Sequence, residues 1–123
     1  MSGLKKGLHG FHVHEFGNLI EGCKSAGGHY NPQAMNHGGP TEVVRHVGDL
    51  GNIEQSNDNG EKAFYALEDH QVSLWGEHNV IGRSCVCHAD QDDLGKNGHA
   101  DSLTTGHAGA RLACGVIALS AKF

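Results

Sequence analysis

Proline is scarce in this chain, at 2 of 123 residues, while glycine reaches 19. The glycines follow no collagen-like period and accompany no Ser- or Gln-rich tract. That excludes a fibrous or low-complexity chain and leaves turns and long ordered loops as their use. No apolar run approaches the ~18 residues of a membrane-crossing helix. Lys5 and Lys6 have no apolar segment behind them, so the opening does not read as a signal peptide. Basic charge is short as well: the formal net charge is −5 and no basic stretch offsets it, which argues against a nucleic-acid partner. Helical periodicity beyond a single turn is absent, and so are internal repeats. What the chain does hold in excess is ligand chemistry, 11 histidines and 4 cysteines. Its length suits one domain, 1–123, with a real though modest core.

The pattern is all-β. Leu8–Phe16 alternates, with Leu8, Gly10, His12, His14 and Phe16 on one side and His9, Phe11, Val13 and Glu15 on the other. Gly48–Gln55 reads as a strand, Asp58-Asn59-Gly60 as a hairpin turn, and Lys62–Leu67 as the returning strand. Val80–Ala89 and Leu112–Ala121 supply two more apolar strands. Between them lie two long loops, 17–47 and 90–110. Loops beyond ~15 residues in a compact domain are usually functional.

Within this frame the histidines are spaced for metal. His12 and His14, two apart on a strand, present two imidazoles to one side about 7 Å apart at the backbone. His29, His37, His46 and Asp49 follow along the first loop, and three imidazoles with a carboxylate form the closed tetrahedral set zinc prefers. His88 arrives from a later strand and can join His12 and His14, where nitrogen ligation suits copper. That second set is one donor short. If His29 used both ring nitrogens it would serve two metals, a sharing that spacing leaves open. Cys85 and Cys87, two apart in an apolar run, read as core thiols on one strand face.

The segments Gly7–Gly17 (GLHGFHVHEFG), His37–Pro40 (HGGP), Arg45–Asn52 (RHVGDLGN), Asp92–Lys96 (DDLGK) and Thr105–Ile117 (TGHAGARLACGVI) closely resemble copper/zinc superoxide dismutases, in order and across essentially the whole chain. The resemblance implies a Greek-key β-barrel or sandwich and an oxidoreductase that converts superoxide to dioxygen and hydrogen peroxide. It implies copper bound by His12, His14, His29 and His88, and zinc by His29, His37, His46 and Asp49, with His29 as the catalytic bridge. Cys23 and Cys114 match the family's disulfide. Asp92 matches a carboxylate linking His12 to His37, Arg111 the catalytic cation beside the copper, and Thr105 a residue narrowing the channel. His9 matches a packing histidine behind the site, while His70, His78, His99 and His107 are expected in solvent.

Against the family's eight-stranded barrel, the sequence starts just before the fourth strand, so an N-terminally truncated domain with an open apolar face is expected. Where the family usually has a lysine there is Thr104, which implies weaker substrate steering. Leu19 and Ile20 fall in the loop that contributes to the family's dimer contact. A cytoplasmic homodimer, served by a copper chaperone, is the expected setting. The alternatives are a truncated inactive isoform and a dismutase-like metal-binding or docking domain.

Overall fold

The computed structural model describes residues 1–57 and 61–122. The Asp58-Asn59-Gly60 turn lies outside the described residues. Five strands appear among those described: β1 (Gly7–His14), β2 (Ile20–Cys23), β3 (Asp49–Gln55), β4 (Ser84–His88) and β5 (Arg111–Val116). One helical turn, α1 (Ser102–Thr105), interrupts the second long loop, and a 3₁₀ turn at Lys24–Ala26 follows β2. Four strands form one antiparallel sheet in the order β3-β1-β4-β5. β2 stands outside it, tied to β5 by the Cys23–Cys114 disulfide. That bond closes a loop of 91 residues, which in the chain-entropy account contributes about 4–5 kcal/mol.

The period-2 alternation of β1 decides what the sheet does. Phe11 and Val13 turn to one face and enter two apolar clusters. Phe11 packs with Leu4, Ile53, Ala63 and Cys87, while Val13 packs with Tyr30, Val47 and Val80. His12 and His14 alternate with them onto the other face. The β1–β3 register slips between Gly10 and His12, and the β4–β5 register slips between Cys87 and His88. Such irregularities re-aim side chains, and here each one adjoins a histidine of the site.

One expected element is not a strand. Lys62–Leu67 carries no ladder, and Phe64 is 87% exposed. Ala63 and Tyr65 pack into the Phe11 cluster while Phe64 between them points to solvent, so the segment lies extended over the core without a backbone ladder. Instead Ala63 exchanges both backbone hydrogen bonds with Met1 (2.7 and 2.8 Å), and the side chains of Gln55 and Asn57 bind Glu61. The last strand also stops early, at Val116, with Leu119 88% exposed beyond it. β5 is largely exposed, with Leu112 at 52% and Val116 at 47%.

Two interior contacts hold the first long loop against the sheet. Val13 donates its N–H to Gly48 O and accepts from Tyr30 N–H, while Gly48 donates to Tyr30 O. This close approach requires glycine: a Cβ at Gly48 would lie 2.1 Å from the Val13 carbonyl oxygen. Arg45, 1% exposed, donates to the carbonyls of Pro40, His46 and Val47 and pairs with Asp69 at 2.6 Å. A buried guanidinium with all its neighbours satisfied is costly to disturb and fixes the loop that bears His37 and His46. Gly48→Ala should therefore destabilise the protein by about 1–3 kcal/mol, read as a lower urea midpoint with unchanged slope.

Candidate metal centre

β1 and β4 deliver His12, His14 and His88 to one place, and an isolated bridge between His14 and His29 brings the first long loop alongside. All four rings are buried. Each of the three strand histidines has one ring nitrogen committed to an acceptor, which places its proton. His12 Nε2–H donates to Asp92 Oδ2 (2.8 Å), His14 Nδ1–H to Gly27 O (3.0 Å) and His88 Nδ1–H to Gly109 O (3.1 Å). The opposite nitrogens keep their lone pairs. His14 Nε2 and His88 Nε2 lie 3.2 Å apart, and His12 Nδ1 and His29 Nε2 are buried with no hydrogen-bond partner. Ligand atoms of His12, His14, His29 and His88 all fall within 4.8 Å of one another.

The second set gathers on one oxygen. Asp49 Oδ1 lies 2.9 Å from His29 Nδ1, 2.9 Å from His37 Nδ1 and 3.1 Å from His46 Nδ1. Its other oxygen accepts backbone N–H bonds from Gly38 (3.1 Å) and His46 (2.8 Å). His37 Nε2–H already donates to Asp92 Oδ1 (2.8 Å), so in the neutral ring Nδ1 is a lone pair facing a carboxylate lone pair. That contact is repulsive unless a cation or a second proton sits between. Donors at the corners of a tetrahedral zinc site stand ~3.3–3.4 Å apart, close to the spacing seen here. His12 also comes within 4.8 Å of His29, His37 and Asp49. Its Nε2 is taken by Asp92, however, and its remaining nitrogen can serve only one set, whereas the Nδ1 of His46 faces Asp49 directly.

Asp92 joins the two sets. It bonds His12 and His37 through separate oxygens, and its own backbone is held by Asn52, whose Oδ1 accepts Asp92 N–H (2.7 Å) and whose Nδ2 donates to Asp92 O (2.9 Å). Neither Asn52 nor Gly106 was singled out by the sequence. Gly106, at φ +64°, lies so close that a Cβ would be 2.0 Å from Asp92 Oδ1. Both sit inside recognisable motifs, but nothing in their residue types points to this carboxylate.

Burial governs the charge states. It lowers His12 to about 3, His14 to about 2 and His88 to about 4, with His29 adding to each, and lowers His29 itself. The rings are therefore neutral, the form that ligates metal. Burial would raise Asp92, but its hydrogen bonds from His12 and His37 outweigh this and hold it near about 2. Burial would lower His37, but Asp49 and Asp92 outweigh it and lift the ring to about 9. Burial raises both the Cys85 and Cys87 thiols.

The remaining expected residues fall around this centre. Arg111 pairs with His88 across β4 and β5, and its Nη1 donates to the carbonyls of Cys23 (2.7 Å) and Lys24 (3.3 Å). With Glu21, Cys23, Lys24, Gly109 and Ala110 it lines a cavity of about 450 Å³. Thr105 turns its hydroxyl to Asp101. His9 is buried, with ring nitrogens 3.0 and 2.9 Å from the carbonyl oxygens of His88 and Lys5. His70, His78, His99 and His107 are exposed, though His99 and His107 stack at 3.9 Å and His107 bonds Asp101 (2.7 Å).

These shifts set the pH response of the metal-free chain. His37, raised when folded, contributes stability below about 6.5 that is lost as pH rises through about 9. The lowered rings of His12, His14 and His88 act in reverse, since the unfolded chain takes up their protons first as pH falls below 6.5. Urea midpoints of the metal-free protein should therefore decline on both sides of pH ~6.5, and zinc should remove the alkaline decline.

Residues 1–117 match the family described as copper/zinc superoxide dismutase. Among curated relatives, "Superoxide dismutase [Cu-Zn] 5" of Dictyostelium discoideum is 53% identical over 120 residues, covering 98% of this chain and 78% of the relative. The histidine sets, the Cys23–Cys114 disulfide and this match over nearly the whole length agree: the chain belongs to the copper/zinc superoxide dismutase family.

Proposed function

We propose that superoxide dismutation, the activity of this family, runs here at a copper held by His12, His14, His29 and His88, beside a zinc held by His29, His37, His46 and Asp49. The observation that carries the assignment is His29. Its Nδ1 faces Asp49 while its Nε2 is buried and unpartnered among the other copper histidines. One ring thus has a lone pair for each metal once its proton is lost. The chemistry of both donor sets fits: four nitrogens suit copper, and three nitrogens with one oxygen suit zinc.

Bound copper supplies one-electron chemistry, so that two superoxide ions and two protons become dioxygen and hydrogen peroxide. The protein's part is to admit the anion, orient the donors and manage protons. Arg111, paired with His88 across β4 and β5 and close enough to act electrostatically on His14 and His88, offers a cationic donor beside the copper set, countering a net charge of −5. Asp92 holds His12 and His37 in one tautomer each, so that each keeps Nδ1 for metal. His29 Nε2 is the atom that can take and return a proton beside the reacting anion.

The reading includes a homodimer, supported by the exposure of Phe16 (49%), Ile20 (86%) and Val116 (47%). It includes delivery of copper by a chaperone. It also includes a cytoplasmic location, which suits the free thiols of Cys85 and Cys87. No described helix is long and apolar enough to cross a membrane. A docking-only role is disfavoured by the complete donor set and by Arg111.

The direct test loads the purified chain with both metals. One copper and one zinc per chain with cyanide-sensitive dismutase activity is expected; zinc alone, or both metals without activity, would favour the inactive-isoform alternative. Arg111→Gln should lower kcat/KM by about 10–100-fold with metal content unchanged. Asp92→Asn should weaken metal retention by about 10–100-fold, measured by chelator competition. With neutral Thr104 at the steering loop, kcat/KM should fall only shallowly as the Debye length shrinks from ~30 to ~10 Å, and a steep loss would count against weak steering.

A further inference from the structure

The sheet face opposite the histidines carries chemistry that dismutation does not use. Cys85 and Cys87 are both free, and β4 turns both to this face, away from His88. Cys87 lies opposite Phe11 on β1 and Ala113 on β5, and Cys85 lies opposite Val13 and Gly115. The β5 neighbours are small. A Cβ at Gly115 would meet nothing within 4 Å, so the space beside Cys85 is open, while Cys87 lies fully buried next to it. Cys85 and Cys87 line a cavity of about 270 Å³ together with Met1, Phe11, Ala113, Gly115 and the disulfide-bonded Cys114. No imidazole or carboxylate lines it.

We infer that this cavity is a second metal site, a two-thiolate cradle for copper(I) formed by Cys85 and Cys87. Thiolate and thioether donors select soft ions, and copper(I) is satisfied by two or three of them. Zinc requires four donors, two more than the two free thiols here supply. The pair does not consume itself as a disulfide: residues two apart on a strand have Cα atoms ~6.6–6.8 Å apart, at the far limit for that bond. Binding releases two protons as two thiols become two thiolates on one copper(I), with no change in oxidation state. The copper is supplied as a complex with a small thiol. Because the cradle and the histidines occupy opposite faces of β4, the two sites fill independently.

The test uses the copper- and zinc-loaded protein with its disulfide intact, titrated anaerobically with copper(I) against a chromogenic chelator. The expected result is one further copper per chain, with sulfur neighbours in its X-ray absorption spectrum and protection of both free thiols from a thiol reagent. Cys85→Ser should weaken this binding by at least about tenfold while leaving the metals at the histidines and the dismutase activity in place. Cys87→Ala should do the same. Should Cys87→Ala fail to fold, the wild-type spectrum and the half-buried Cys85 variant decide. Copper left wholly with the chelator, nitrogen neighbours only, or wild-type affinity in Cys85→Ser would overturn the assignment. Dismutase activity is read separately, so its absence would count against the function proposed above and not against this site.

Discussion

Everything at the centre of this protein depends on one carboxylate, Asp92, bonded at 2.8 Å to a histidine from each of the two donor sets. A ring nitrogen that donates to a carboxylate has its proton fixed there, so the other nitrogen must be the ligand atom. Asp92 imposes that choice on His12 and His37 together. Asp92 is in turn held at its backbone by both ends of the Asn52 side chain, and Gly106 leaves it no room to move. The strand pair β1–β3, the second loop and both histidine sets are thereby coupled through one residue. Loosening any of them is felt by the others.

The electrostatics follow from burial. Six imidazoles and two carboxylates are packed out of water, an arrangement that is unfavourable unless every anion is bonded and every ring without a carboxylate on both sides stays neutral. His37, between Asp49 and Asp92, is lifted to about 9. Three of the histidine rings are pushed far below their ordinary value, while Asp92 and Asp49 are held anionic by the nitrogens around them. A cation in each set would resolve the remaining mismatch, three nitrogens on one Asp49 oxygen and the unpartnered nitrogens of His12 and His29. Arg111 lies outside this neutral nest, tethered by carbonyls of the disulfide-bearing segment, so the disulfide also orients the cation.

Much of this was legible in the residues. Alternation in β1 is enough to put His12 and His14 on one face, because a strand has a period of two regardless of its surroundings. Histidine-rich spacing in the first loop announced a tetrahedral set, and the long motifs announced the family. Lys62–Leu67 misled because β-propensity reports how side chains fit a half-buried surface, and Ala63 and Tyr65 fill one here without forming a ladder. Asn52 and Gly106 were invisible because their importance lies in contacts across 40 and 14 residues of chain to Asp92, which no local pattern encodes.

The sequence by itself therefore determined the donor types, the strand that carries two of them and the family to which they belong, since each is a property of local spacing or of shared motif. Tertiary structure alone decided which nitrogen of each ring is free, that His29 faces both sets, that three nitrogens meet on one oxygen, and that two thiols share an open apolar cavity. Those are relations between residues far apart in the chain. They exist only once the sheet has closed and water has been driven out, because direction and burial, unlike identity, are made by folding.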